Sequence, residues 1–270
     1  MTHLKHLTLL ITLLVIQSIV GQAYDERYTF SVGDEVHMFG DNVKLRDAPN
    51  TDSQTLALLP IDSKAIVLAV EDSLHEYKGI SMPWYKVECG DKIGYVVGGL
   101  FSFTRYNSKT GNDTYFIYGL EKDAEGSTYA TIRAVRDQKM QSEQKVRIFG
   151  NGAFEVKHYD NKGVEQMDDI IVIDNYSEAC GIDGGKSYVV YSGGQLIHMA
   201  NTSEIGDGGL YHYHSDFIFP SDPQGMPNII IYKQENGEMK DEETDWYVTT
   251  SQQRNLTWDG EKLQPEDYKN

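Results

Sequence analysis

Apolar and polar residues alternate in short runs over residues 32–104. Val43-Lys44-Leu45-Arg46 sets every second side chain apolar, as a strand buried on one face requires. Residues 35–39, 64–70, 84–88 and 93–97 carry similar strand-like runs. Gly40-Asp41-Asn42, residues 47–53 and Cys89-Gly90-Asp91-Lys92 interrupt them with turn chemistry, and the last of these joins two runs as a hairpin. Strands this short and closely spaced, with no helical period among them, predict a small closed barrel.

A polar, glycine-containing stretch at 106–113 suits a linker. Beyond it, strand candidates recur at residues 115–118, 129–135, 145–149, 154–159, 170–173, 187–191, 196–199, 210–214, 228–232 and 246–250, divided by Gly, Asp and Asn turns. Residues 256–263 add a last strand and turn, and residues 138–144 are the one stretch suited to a short helical turn. The expected fold class is therefore all-β, with a small barrel at 30–105 and a larger antiparallel domain at 114–263. The spacing of the later strand pairs is irregular, so a sandwich or curled meander ranks above a closed propeller.

The first 23 residues are of another kind. Lys5 precedes a run at 7–16 that is apolar except for Thr8 and Thr12, and Gly21-Gln22-Ala23 supplies small residues near a cut site. This is the pattern of a secretory signal peptide, and the apolar run is shorter than the ~20 residues a spanning helix needs. The mature chain is expected outside the cytoplasm, periplasmic or extracellular, with no membrane span. In an oxidising compartment Cys89 and Cys180 have one available pairing, and spacing alone leaves open whether they are bridged or remain separate thiols.

Forty-one acidic residues against 24 basic ones give a net charge of −17. Such a chain repels phosphate backbones and anionic membrane faces at long range, which argues against nucleic acid as a partner. With 40% hydrophobic residues the rest is ordinary globular material.

Val43-Lys44-Leu45-Arg46-Asp47-Ala48-Pro49-Asn50 resembles the opening strand and loop of the bacterial SH3-like domain family. Residues 56–60 fit its next short strand, and Trp84-Tyr85-Lys86-Val87 with Gly94-Tyr95-Val96 fit its closing hairpin. Ala48 stands where the family usually has glycine, and residues 68–82 form a longer, acidic insertion. The resemblance covers roughly a quarter of the chain and implies a binding module that contacts peptidoglycan or an envelope protein. On the residues themselves, Trp84, Tyr85 and Tyr95 offer flat amphipathic faces to a peptide or sugar. Asp47, with Asp41 and Asp52, can receive the amines of a stem peptide. The competing reading places Trp84 in the core and the aspartates in solvated turns, where Asp is favoured. No family resemblance extends over residues 113–263.

Catalytic readings compete with this one. SH3-like domains are often joined to papain-like peptidases, which makes Cys180 a candidate nucleophile and His198 a candidate partner. Cys180, however, lacks the surround of that family and does not open a helix. In Tyr211-His212-Tyr213-His214-Ser215-Asp216, strand alternation puts His212 and His214 on one face, with Asp216 or His198 as a third ligand in a metal reading. No phosphate loop, GxSxG or HExxH motif is present, and no cofactor is implied. The expectation is an exported, non-catalytic binding protein. A cell-wall hydrolase using Cys180 or a histidine-held metal, and a structural adaptor, are the alternatives.

Overall fold

The computed structural model describes residues 26–111, 113–150, 152–176, 181–241, 243–244 and 246–269. The expected signal segment and Cys180 lie outside them. Among the described residues the fold is all-β: nineteen strands, every pairing antiparallel, and two single 3-10 turns.

The first sheet holds β1 (Glu35–His37), β2 (Val43–Arg46), β3 (Thr55–Leu59), β4 (Lys64–Tyr77), β5 (Ile80–Cys89) and β6 (Lys92–Val97), in the order β1-β4-β5-β6-β2-β3. Alternation does what the sequence predicts. Val43 and Leu45 turn inward onto Val67, Val87, Val96 and Phe101, while Lys44 stays in water. The acidic insertion is the outer half of the long β4–β5 hairpin. Lys78 and Gly79 both take left-handed backbone angles (φ 48° and 74°), the geometry of a two-residue hairpin turn. The tip then docks on the next sheet. Lys122 N donates to Lys78 O at 2.9 Å, Lys78 Nζ meets Glu121 at 2.7 Å, and a Cβ on Gly79 would stand 2.8 Å from Lys122 O.

The second sheet is the meander β7 (Arg105–Asn107), β8 (Tyr115–Lys122), β9 (Thr128–Arg136) and β10 (Lys139–Arg147). Two expectations are corrected here. The stretch at 106–113 is not a free linker: it begins within β7, and Ser108 Oγ and Lys109 N each donate to the fully buried Asp169 carboxylate at 2.6 Å. Residues 138–144 are not helical. Asp137 and Gln138 adopt φ of 51° and 54°, closing a tight hairpin that pairs β10 with β9.

β11 (Phe154–Tyr159), β12 (Asp169–Asn175), β13 (Gly185–Ser192) and β14 (Gln195–Asn201) form the third sheet. β15 (Glu204–Asp207), β16 (Tyr211–Ile218), β17 (Ile230–Asp241), β18 (Trp246–Trp258) and β19 (Leu263–Gln264) form the fourth. The second and third sheets curl together and touch at both edges, through Leu196 N to Ser142 Oγ (3.1 Å) and Tyr106 Oη to Val156 O (3.2 Å). Ile171 and Ile173 face the core between these sheets, whereas Ile170 and Val172 face the core between the third sheet and the fourth. An unbroken apolar run thus makes β12 a strand buried on both faces.

The first sheet is not separate from this body. Ile80, Met82, Trp84 and Val97 share one core with Phe116, Tyr118, Ile171 and Tyr191. Phe39 lies against Gly119, where a Cβ would come within 2.4 Å of the ring, so glycine in mid-strand is what lets the two sheets close. Arg105 adds a two-pronged contact with Asp62, through Nε to Oδ1 at 2.8 Å and Nη2 to Oδ2 at 3.0 Å.

Candidate functional site

Where the outer side of the first sheet meets the second, a cleft of about 510 Å³ opens. Strand alternation builds it. β2 buries Val43 and Leu45 on its inner side and presents Lys44 and Arg46 on the other. In β5, Tyr85 and Val87 point into the core of the first sheet, so Trp84 faces the opposite way. The β4–β5 hairpin contributes His75, Tyr77 and Lys78, and β9 and β10 contribute Arg133 and Met140. The His75 ring lies 5.8 Å from the Trp84 ring.

The lining is basic. Lys44, Arg46, Lys78 and Arg133 face it against one acid, Asp41, in a chain of net charge −17. Three of these cations are held in place. Arg46 Nη1 donates to Ser53 O at 2.8 Å. Lys78 is tied to Glu121. Arg133 donates to Phe39 O and to Glu143 Oε2, both at 2.6 Å, with its guanidinium 4.2 Å from the Phe39 ring centroid. Lys44 is exposed. Chemically, the cleft offers the positive charge of Lys44 and Arg46, with the ion-paired Lys78 and Arg133, beside an aromatic wall, which suits an anionic group carried on an organic body.

Of the residues expected to bind ligand, Trp84 lines the cleft, although only 4% of it is exposed. Tyr95 is half-buried and sits opposite Arg46 in register, beside the cleft without lining it. Asp47 is exposed in the turn after β2, where its N–H donates to Gln54 O, and it is not part of the lining. Tyr85 is a correction: it is 1% exposed, and its hydroxyl donates to Tyr28 O and accepts from Phe30 N. Neighbours in a strand point to opposite faces, so Trp84 and Tyr85 cannot meet one ligand together. Sequence reasoning missed His75, Tyr77, Arg133 and Met140. The outward positions of Lys44 and Arg46 are visible in the alternation, but no local motif joins residues 40–46, 75–84 and 133–140.

The metal reading does not assemble. His212 is engaged by Tyr247 Oη (2.6 Å from Nδ1) and Glu235 (3.0 Å from Nε2), and its ring stacks on Tyr247. His214 faces Glu204 at 3.7 Å. Asp216 turns away to Lys186 and the Tyr188 hydroxyl. Burial opposes ionisation of Asp216, but these two donors outweigh it and hold the carboxyl below its ordinary value. Among the described residues no three His, Cys, Asp or Glu side chains converge as metal ligands. Asp216 belongs instead to a recess of about 200 Å³ ringed by three ion pairs, Lys157 with Asp174, Lys186 with Asp216 and Lys162 with Asp222, over Tyr188 and Phe219.

His198 is exposed, with Nε2 2.7 Å from Asn201 Oδ1, and Cys180 is outside the described residues. Cys89 is a free thiol that donates to Lys64 O, and burial pushes its pKa up, away from thiolate chemistry. No family model matches the chain, and neither a curated protein nor a solved structure matches it.

Proposed function

We propose that this is an exported, non-catalytic binding protein whose cleft takes an acidic peptide, in the first instance the carboxylate-bearing stem peptide of peptidoglycan. Export rests on the signal-like first 23 residues, and the envelope setting rests on the SH3-like pattern at 43–50, 84–87 and 94–96. The observation that carries the reading is the cluster of four cations around Trp84 and His75 in a strongly acidic protein. Lys44 and Arg46 supply the charge that selects a carboxylate. Trp84 and Tyr77 supply the apolar wall for the rest of the ligand.

The test is titration calorimetry with purified soluble stem peptides, alongside co-sedimentation with insoluble peptidoglycan. Lys44→Glu/Arg46→Glu should weaken binding at least about tenfold, since a charge-assisted contact contributes roughly 1.5–3 kcal/mol. Rising salt should weaken the parent and leave the variant little changed. Failure of the parent to bind either material, or equal binding by the charge-reversed protein, rejects this assignment.

A further inference from the structure

β18 runs for 13 residues and is paired along one side only. Its inner edge follows β17 from Leu256 to Trp246, whereas its outer edge meets β19 only at Thr257 and Trp258. Residues 246–256 therefore present a row of backbone donors and acceptors that no strand among the described residues covers. Long open edges invite further strand pairing, and proteins usually blunt them with brevity, charge, proline or a cover.

The other sheet margins are all shorter than β18, the uncharged β3 (five residues) included. β1 and β7 have three residues each, and β15 has four, two of them acidic. β10 carries Lys139, Glu143, Lys145 and Arg147 and lies along β14. β18 has none of these devices. Its sequence, Trp-Tyr-Val-Thr-Thr-Ser-Gln-Gln-Arg-Asn-Leu-Thr-Trp, contains neither proline nor glycine and one charge, Arg254, where the chain's 24% charged content would place about three. The sheet here is also a single layer. Trp246 is 60% exposed, and the stretch from Thr249 to Asn255 is exposed throughout.

We propose that the outer edge of β18 pairs antiparallel with β18 of a second copy of this chain, about a two-fold axis at Thr250. In that register Trp246 lies opposite the copy's Arg254, Tyr247 opposite Gln253, Val248 opposite Gln252 and Thr249 opposite Ser251. No like charges meet, each Arg254 gains an indole face, and hydroxyl side chains pair at the centre. The acids of β17, Glu235, Glu238 and Asp241, stay at least three strand spacings, about 14 Å, from those of the copy's β17. That exceeds the screening length of about 8 Å at physiological salt, so the overall −17 charge does not forbid contact at this edge. A self-complementary two-fold interface is the commonest route to a homo-oligomer.

Sedimentation velocity on the purified protein at about 50 µM, in low and in high salt, tests this. The parent should sediment as a dimer that tightens with salt. Thr250→Lys and Thr250→Glu each place like charges face to face on the axis and should associate at least about tenfold more weakly, while their equimolar mixture regains the parent's affinity as a heterodimer. Arg254→Glu, on an exposed side chain, should weaken association about threefold or more, and it serves as the comparison if the Thr250 variants lose strand signal in circular dichroism. A monomeric parent overturns the proposal. So does any of these folded variants dimerising as tightly as the parent, or a mixture that stays monomeric, which would place the contact elsewhere.

Discussion

His158 Nε2 lies 3.1 Å from Asp169 Oδ1, with the two side chains 1% and 0% exposed. The nitrogen is close but poorly aligned for a hydrogen bond, and the carboxylate takes its firm bonds from Ser108 and Lys109. Burial opposes ionisation of Asp169, and the facing imidazole with these two donors outweighs it, so its pKa falls below the ordinary 3.8. A depressed carboxyl contributes stability above its unfolded pKa and loses it as pH drops through the folded one. Asp169→Asn should therefore cost about 3 kcal/mol at neutral pH, and the two proteins should converge in acid. Urea melts at both pH values measure it; an equal loss in acid and at neutrality would refute the linkage.

At the seam between the first two sheets, Gly119→Ala sets a methyl group into the Phe39 ring. The expected cost is about 1–3 kcal/mol. Pairing it with Phe39→Leu should recover part of that loss, because the two residues share one contact. Full additivity in denaturant melts would show that the ring is not what the methyl strikes.

His37 sits 3.1 Å from Asp62 and 3.3 Å from Glu35. The Asp62 carboxylate raises the imidazole above its ordinary 6.5, and burial and Arg105 only partly oppose this. A raised histidine gives its full stabilisation below the unfolded pKa and loses it as pH rises through the folded one. The parent's Tm should fall as pH rises above the ordinary 6.5, and His37→Gln should flatten that slope. An unchanged slope in the variant would assign the titration to another group.

Trp84 and Tyr85 separate core from cleft. Trp84→Ala should cost about 3–5 kcal/mol and weaken the acidic ligand, because this indole is both packed and part of the wall. Tyr85→Phe removes only the hydroxyl shared with Tyr28 and Phe30, costs about 1–2 kcal/mol and leaves binding intact. Calorimetry and thermal melts on the same samples distinguish the two effects.

Most of the strands are legible in the chain because period-two alternation is a local signal, and Val43 to Arg46 shows it in four residues. The cleft is not. Its walls come from segments some 90 positions apart, and tertiary contacts such as the docking of Phe39 on Gly119 and of Lys78 on Lys122 bring them together. The alternation that locates β5 also puts Trp84 and Tyr85 on opposite faces. Asp216 shows the converse limit. Its strand position was readable, but its preference for Lys186 and Tyr188 depends on β13, which pairs elsewhere and packs across. The polar stretch after Tyr106 resembled a linker because Asp169, which anchors it, lies some 60 positions ahead.

β12 is a party wall, each of its sides furnishing a different room. Recombination that swapped in a foreign half at this strand would leave one of the two rooms without a lining.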